Sequence, residues 1–129
     1  MAQQDRTTPV RILVAEDNPQ VRAALRSFLS ADPHFEIVGE AADALAALQL
    51  ARLHRPDVAL VDVLLPGAQE GLHVLRILTA ELGVPAVAFS ISGGVGDSAL
   101  AAGAYRFLEK DGSPERLTAA LTAAAGQQI

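Results

Sequence analysis

Residues 11 to 19 read Arg11-Ile-Leu-Val-Ala-Glu-Asp-Asn-Pro19, an apolar run that ends in two acids, an asparagine and a proline. The short apolar run, residues 11–15, is typical of a buried strand. Asn18 is a favoured helix N-cap and Pro19 suits the first position of a helix, so a helix is predicted to begin there. A strand that passes through two carboxylates into a helix is the start of an alternating β/α arrangement.

The same unit recurs along the chain. Predicted strands cover residues 11–15, 35–40, 58–61, 85–90 and 106–109, and a helix-forming segment follows each of them. The strands are continuous apolar runs, as expected when helices cover both faces of a parallel sheet. The sequence therefore predicts an α/β fold, a doubly wound five-stranded parallel sheet with five helices.

Apolar residues at helical spacing predict the buried face of each helix. Those of the first three helices are Val21, Leu25, Phe28 and Leu29, then Leu45, Leu48 and Leu53, then Leu72, Leu75, Leu78 and Leu82. The fourth helix is predicted to be short or frayed, capped by Asp97, because the glycines before it are poor helix formers. Ser113 and Pro114 predict the start of the last helix.

Length and composition limit the possible functions. The chain has 129 residues, a formal net charge of -5 and no cysteine, which fits one domain and excludes disulfide scaffolds, thiolate zinc sites and thiol nucleophiles. The acidic balance argues against direct nucleic-acid binding and against a membrane surface as partner. No signal peptide or membrane span is recognisable, so a cytoplasmic protein is expected. We expect a disordered lead-in over residues 1–9, one domain over 10–125 and a tail or linker start over 126–129.

Polar residues cluster where the predicted strands end. They are Glu16 and Asp17 after the first strand, Asp62 after the third, Ser90 at the end of the fourth and Lys110 after the fifth. Ligands bind at this edge of a doubly wound sheet. Three converging carboxylates repel one another unless a cation lies between them, and Mg²⁺ with its preference for oxygen ligands suits that place. A hydroxyl and an ammonium opposite would suit a phosphoryl group.

Lys110 adds an argument of its own. The chain has ten basic residues, and Lys110 is its single lysine. A compact ammonium suits one phosphoryl oxygen better than a planar guanidinium does. Taken singly, each of these residues has an ordinary structural explanation, such as a helix-terminal acid or a surface charge. Five of them at the carboxyl ends of strands favour a functional site.

These residues stand in motifs that resemble the receiver domain of two-component response regulators, closest in style to regulators with a C-terminal helix-turn-helix output. The motifs are Leu13-Val-Ala-Glu-Asp-Asn18, Val61-Asp-Val-Leu-Leu-Pro-Gly67, Val87-Ala-Phe-Ser90 and Phe107-Leu-Glu-Lys-Asp111, and the resemblance runs from about Val10 to Ala125. It implies the flavodoxin-like strand order 2-1-3-4-5.

The resemblance also implies roles for single residues. Asp62 would accept a phosphoryl group from a sensor histidine kinase or a phosphotransfer protein. The implied Mg²⁺ ligands are Glu16, Asp17, Asp62 and the backbone carbonyl of Leu64. Ser90 and Lys110 would bind the acyl phosphate, and Phe107 would change rotamer together with Ser90, with ordinary core packing as the alternative for Phe107. The surface formed by the fourth helix, fifth strand and fifth helix would then switch an output domain or partner, with homodimerisation on phosphorylation as one route.

Two apolar residues beside the site predict a long-lived phosphoryl group. Leu64 and Ile91 cannot orient a water molecule for attack, so self-dephosphorylation is expected to be slow, and the chain is not expected to be an enzyme. The competing hypotheses are a phosphorylation-independent adaptor with the same fold and a Mg²⁺-dependent hydrolase. The hydrolase is disfavoured because Leu64 stands where a second acid would be needed. The residues after 125 are too few for a DNA-binding helix-turn-helix, so the chain is either a stand-alone receiver that acts through a partner or a domain excised from a longer regulator. The style of the fourth strand and of the tail favours excision.

Overall fold

The computed structural model describes residues 8–66, 68–91 and 93–127, and for residues 68 and 69 it describes the backbone alone. The predicted disordered lead-in therefore lies outside the described residues up to position 7. The strands are β1 Val10–Ala15, β2 Phe35–Ala41, β3 Val58–Asp62, β4 Ala86–Ser90 and β5 Arg106–Glu109. The helices are α1 Pro19–Ser30, α2 Ala44–His54, α3 Ala68–Arg76, α4 Gly96–Ala101 and α5 Pro114–Ala125.

The strands form one parallel sheet in the order β2-β1-β3-β4-β5. The α/β fold, the doubly wound sheet and the strand order are confirmed. Strand residues alternate between two apolar clusters, because successive side chains point to opposite faces of a sheet. Leu13, Ala59 and Ala88 pack with α2, α3 and α4 on one face. Their neighbours on the other face pack with Leu29 of α1 and Leu121 of α5.

The helices α1 and α5 begin where the sequence predicts. Asn18 caps α1 by accepting hydrogen bonds from the backbone amides of Gln20 and Val21, at 2.8 and 3.1 Å. Ser113 accepts one from the amide of Arg116 at the start of α5. A proline follows each cap, and its fixed φ angle suits the first helical turn. The polar loops before these two helices are thereby fixed in place.

The predicted buried faces of α1 and α2 are partly wrong. Leu48 is buried, but Leu45 and Leu53 are 68% and 73% exposed. Ala47 and Ala51 take their place against the sheet, because small side chains let α2 approach it closely. Phe28 of α1 is also partly exposed to solvent, at 39%.

The segment from α3 to α4 is less regular. The predicted third helix continues after α3 as a π-helical turn over Ile77–Glu81, and Gly83 ends it with a φ of +66°. The fourth helix is short, as predicted, with six residues after a 3₁₀ turn over Gly93–Val95. Asp97 is not its cap, since it lies inside the first turn and the residue before the helix, Val95, provides no side-chain hydrogen bond. In the described ranges no helix is long and apolar enough to cross a membrane.

Candidate functional site

Strand pairing brings the predicted polar residues to one edge of the sheet. Asp62 and Ser90 are the last residues of β3 and β4, while Glu16 and Lys110 directly follow β1 and β5. Backbone hydrogen bonds continue past the strand ends, from the amide of Glu16 to the carbonyl of Ala41 and from the amide of Lys110 to the carbonyl of Ser90, both at 2.9 Å. The site therefore stands on the rigid part of the fold.

Three carboxylates form a cluster at this edge. One ligand oxygen from each of Glu16, Asp17 and Asp62 lies within 4.8 Å of the others. Glu16 is fully buried and Asp62 is 3% exposed, whereas Asp17 is exposed to solvent. Such a cluster is open on one side, where a cation or a phosphoryl donor can approach.

Lys110 lies inside the cluster and touches two of its members. Its Nζ atom donates to Glu16 Oε1 at 2.7 Å and to Asp62 Oδ2 at 3.0 Å. The same ammonium lies 4.8 Å from the centre of the Phe89 ring, within the range of a cation–π contact. The single lysine of the chain thus holds the predicted acceptor and the buried glutamate together.

Burial and hydrogen bonding shift the pKa values of Glu16 and Lys110. Burial raises the pKa of Glu16, although the hydrogen bonds from Lys110 and the Asn18 amide oppose the rise. For Lys110, burial works against the charge, but the hydrogen bonds to Glu16 and Asp62 outweigh it and raise the pKa of the ammonium. Lys110 is therefore cationic at neutral pH, as binding of an anionic group requires.

The donor set suits a hard divalent cation. Three carboxylates against one ammonium leave two negative formal charges uncompensated at the cluster. All the side-chain donors are oxygens, which Mg²⁺ prefers. Within the described part of the chain, the Asp17 carboxylate accepts no hydrogen bond, whereas both oxygens of Glu16 and both of Asp62 do. Asp17 is the member of the cluster with its oxygens most available to a metal.

The other predicted residues lie around the cluster. Leu64 is half-buried, and its backbone amide donates to Asp62 Oδ1 at 2.8 Å, which fixes the turn that carries its carbonyl. Ser90 is fully buried. The Phe107 ring is half-buried and packs against the first residue of α4, since a Cβ atom at Gly96 would lie 3.0 Å from its Cδ2 atom. Ile91 is 77% exposed.

Two residues that contact the site are not predicted from the sequence. Phe89 lies beneath Lys110, and Arg22 of α1 donates to the backbone carbonyl of Glu16 at 2.8 Å. Phe89 has the pattern of an ordinary strand residue, so no sequence signal separates it from the core. Arg22 is one of two arginines a helical turn apart, which is also the pattern of a solvated helix face.

Comparison with known proteins gives a consistent result. The family model of the response regulator receiver domain matches residues 12–122. The nitrate/nitrite response regulator protein NarL of Escherichia coli K12 is 36% identical over 125 residues, 94% of this chain and 57% of that protein. A protein-glutamate methylesterase/protein-glutamine glutaminase of Myxococcus xanthus DK1622 is 39% identical over 106 residues, 79% of this chain and 30% of that protein.

Solved structures agree with the sequence matches. The two-component response regulator of the LuxR family from Aurantimonas sp. SI85-9A1 superposes with a TM-score of 0.84 and 29% sequence identity. The match covers 94% of this chain and 88% of that one. The matched region is 22% to 57% of the length of these and other curated relatives, so the chain spans only part of their length.

Proposed function

The chain belongs to the receiver domain family of response regulators, and from that premise we propose that Asp62 is its phospho-acceptor. The observation that carries the proposal is the contact of Lys110 with Asp62 and Glu16, beside a third carboxylate within 4.8 Å. The donor would be the phosphohistidine of a sensor histidine kinase or of a phosphotransfer protein. We further propose that residues 10–125 form the functional domain.

The transfer is an in-line displacement at phosphorus. An oxygen of Asp62 forms the new O–P bond while the P–N bond of the donor breaks and its electron pair stays on the imidazole nitrogen. Glu16, Asp17, Asp62 and the carbonyl of Leu64 would hold Mg²⁺, which when bound offsets the negative charge of the phosphoryl oxygens. Lys110 exchanges its contact with Asp62 Oδ2 for a phosphoryl oxygen, a short movement because the ammonium already lies 3.0 Å away.

Ser90 and Phe107 would pass the event to the surface. The Ser90 hydroxyl turns to donate to another phosphoryl oxygen, and the Phe107 ring fills the space that it leaves. Phe107 packs against Gly96 at the start of α4, so movement of the ring changes a contact between β5 and that helix. The surface of α4, β5 and α5 is thus the proposed output surface.

The test is the intact mass of the protein after incubation with Mg²⁺ and acetyl phosphate. One phosphoryl adduct is expected in the wild type and in Asp97→Asn, an exposed aspartate of α4 that serves as the matched control. No adduct is expected in Asp62→Asn or without Mg²⁺. An adduct that survives in Asp62→Asn would contradict the assignment. No adduct from acetyl phosphate or a phosphorylated kinase, with Mg²⁺ bound, would favour the phosphorylation-independent adaptor.

We propose a slow loss of the phosphoryl group. Leu64 and Ile91 flank the site and carry no group that can orient water for attack on the acyl phosphate. Leu64→Asn is expected to shorten the half-life of the adduct several-fold, followed by intact mass over time. Leu45→Asn, the same change at an exposed position of α2, should leave it unaltered. Equal half-lives for Leu64→Asn and the wild type would contradict the proposal.

The proposed output is transcriptional and involves a homodimer formed on phosphorylation. The match to the regulator NarL over 94% of this chain supports this, while the methylesterase matches indicate that related receivers also serve other outputs. Light scattering with and without acetyl phosphate measures the mass in solution. A monomer in both states, at a confirmed phosphoryl occupancy, would contradict the dimer.

A further inference from the structure

The guanidinium of Arg22 ties the acidic segment after β1 to two other elements. Its Nη1 atom donates to the backbone carbonyl of Glu16 at 2.8 Å and reaches that of Asp17 at 3.5 Å. Its Nε atom lies 3.7 Å from Oε1 of Glu40, near the end of β2. The side chain is 22% exposed, so solvent competes only partly for these donors. One side chain of α1 therefore contacts both members of the acidic pair.

The acidic segment depends on such contacts because it lies between β1 and α1 and has no regular structure of its own. The amide of Glu16 is held by Ala41, and the Glu16 carboxylate is held by Lys110 and the Asn18 amide. Asp17 has no such partner in the described ranges, and its carboxylate is exposed. The direction of that carboxylate is thus set by the backbone, and Arg22 holds the carbonyls on both sides of the Asp17 amide.

We propose that Arg22 is a positioning residue for the metal-binding acidic pair, acting through the backbone carbonyls of Glu16 and Asp17. The inference rests on the proposed function, in which these two residues hold Mg²⁺. Arg22 does not compete with the cation, because its donors point at backbone carbonyl oxygens and at Glu40 and not at the carboxylate oxygens of Glu16 and Asp17. Groups that orient metal ligands in this way typically change metal affinity tenfold or more.

Two opposite effects of the guanidinium predict opposite outcomes. Its positive charge near the cluster disfavours a cation, so removing it would strengthen Mg²⁺ binding if charge repulsion dominated. Its hydrogen bonds hold the backbone in one conformation, so removing it weakens binding if preorganisation dominates. We expect preorganisation to dominate, because the guanidinium contacts both backbone carbonyls directly, whereas Glu40, which it shares with Arg26, offsets part of its charge.

Arg26 provides a matched control. It lies one turn further along α1 and forms a bidentate ion pair with Glu40, from Nε at 2.8 Å and Nη2 at 2.9 Å. Among the described contacts it makes none to the acidic segment. Arg26→Ala therefore removes the same type of side chain and weakens the same Glu40 network without removing the bonds to the carbonyls.

The experiment is a calorimetric titration of the full chain with Mg²⁺ at constant ionic strength. Arg22→Ala is expected to raise the dissociation constant about tenfold, Arg22→Lys to raise it less, and Arg26→Ala to change it less than twofold. Equal effects of Arg22→Ala and Arg26→Ala, or tighter binding in Arg22→Ala, would overturn the proposal. If Arg22→Ala does not fold, Arg22→Lys keeps the comparison, and a lysine variant that binds like the wild type overturns it.

A second readout needs no metal. In the metal-free protein the backbone amides of residues 16–18 should exchange with solvent several-fold faster in Arg22→Ala than in Arg26→Ala. Unchanged exchange would overturn the proposal even if metal affinity fell. Failure of the proposed function looks different, since the wild type itself would then bind no Mg²⁺ or gain no phosphoryl group, whatever the exchange rates of the variants.

Discussion

The two faces of the sheet carry helices of different regularity. On one face, α1 and α5 have 12 residues each, a side-chain cap and a proline at the start. On the other face, α2 is capped by Asp43, but α3 passes into a π-helical turn, and α4 has six residues and no side-chain cap. The loops that enter α1 and α5 contain the acidic pair and Lys110. The irregular face receives the contact of Phe107.

The difference indicates that the acidic pair and Lys110 are held more rigidly than the segment around α4, which Phe107 contacts. Glu16, Asp17 and Lys110 stand beside the well-capped helices α1 and α5, whose first turns resist fraying, while Asp62 and Ser90 are held by the ends of β3 and β4. The segment that we propose to change on phosphorylation lies where capping is weak and glycines are frequent, so small movements cost little free energy there. Substitutions in both regions test this division between the capped helices α1 and α5 and the glycine-dependent segment from α3 to α4.

The largest effect is expected at Gly71 of α3. A Cβ atom there would lie 2.2 Å from the carbonyl oxygen of Val63 and 2.8 Å from its Cα atom, and neither backbone atom can move alone. Gly71→Ala should lower the free energy of unfolding by about 3 kcal/mol and displace the turn that carries Leu64. Urea denaturation measures the first effect, and the rate of phosphorylation by acetyl phosphate measures the second.

Gly126→Ala is the control for that change, because its nearest contact would be an ordinary 3.5 Å. A loss of less than 0.5 kcal/mol in Gly71→Ala, within the usual scatter of surface substitutions, would show that α3 can shift away from Val63. The packing of α3 on the sheet would then be more easily deformed than the close approach of Gly71 to the Val63 backbone indicates.

The next largest effect is expected at the helix starts, where removal of the α1 cap should cost more stability than removal of the first-turn acid of α4. Asn18→Ala removes two hydrogen bonds at the start of α1 and should cost about 1 to 2 kcal/mol of unfolding free energy. Asp97→Ala at α4 removes only an acid in the first turn and should cost a few tenths of a kcal/mol. Thermal or urea unfolding measures both. Equal losses would contradict the division, since they would mean that Asp97 caps α4 after all.

The same contrast explains how far the sequence predicts the structure. Strands made of continuous apolar runs and helices that begin with a cap and a proline follow from local signals, and their positions are confirmed. The Leu45 and Leu53 assignments failed because a helix rich in alanine and leucine has more apolar residues than one face can bury. The prediction that Asp97 caps the fourth helix is wrong because the 3₁₀ turn over Gly93–Val95 leads into a helix that begins at Gly96. A cap at Asp97 would have placed the first helical residue two positions later, at 98.

The candidate site shows the same limits. Parallel topology was enough to expect Glu16, Asp17, Asp62, Ser90 and Lys110 at one edge, and the structure places them there. Arg22 and Phe89 act through a carbonyl and a ring face, contacts that depend on exact helix rotation and strand register. Residue type and spacing carry no information on those.

Alanine substitutions at Gly93, before α4, and at Gly96, its first residue, should change the free energy of unfolding in opposite directions. At Gly96 a Cβ atom would lie 3.0 Å from the rigid Phe107 ring, so Gly96→Ala should cost about 1 kcal/mol despite its better helix propensity. At Gly93 it would meet only the end of the Glu109 side chain, which can swing away, so Gly93→Ala should gain about 0.5 kcal/mol. Unfolding experiments give both values, and proton NMR shifts of the Phe107 ring should move in Gly96→Ala alone. A stabilised Gly96→Ala would mean that the ring yields easily.

The smallest effect concerns the ion pair that fastens α1 to β2. The hydrogen bond from Arg26 lowers the pKa of Glu40 below its usual 4.5, with partial burial opposing it. A carboxyl with a lowered folded-state pKa contributes stability that is complete above its unfolded-state value and is lost as the pH falls through the folded-state value. Glu40→Gln should therefore cost a few tenths of a kcal/mol at pH 7, and its stability should fall less than that of the wild type when the pH drops below about 4.5. Glu36→Gln, an exposed glutamate of the same strand, is the control, and urea unfolding across this pH range is the measurement. If the free energy of unfolding changes with pH in the same way in Glu40→Gln and the wild type, this ion pair does not stabilise the contact between α1 and β2, and the helix cap and the core stabilise it alone.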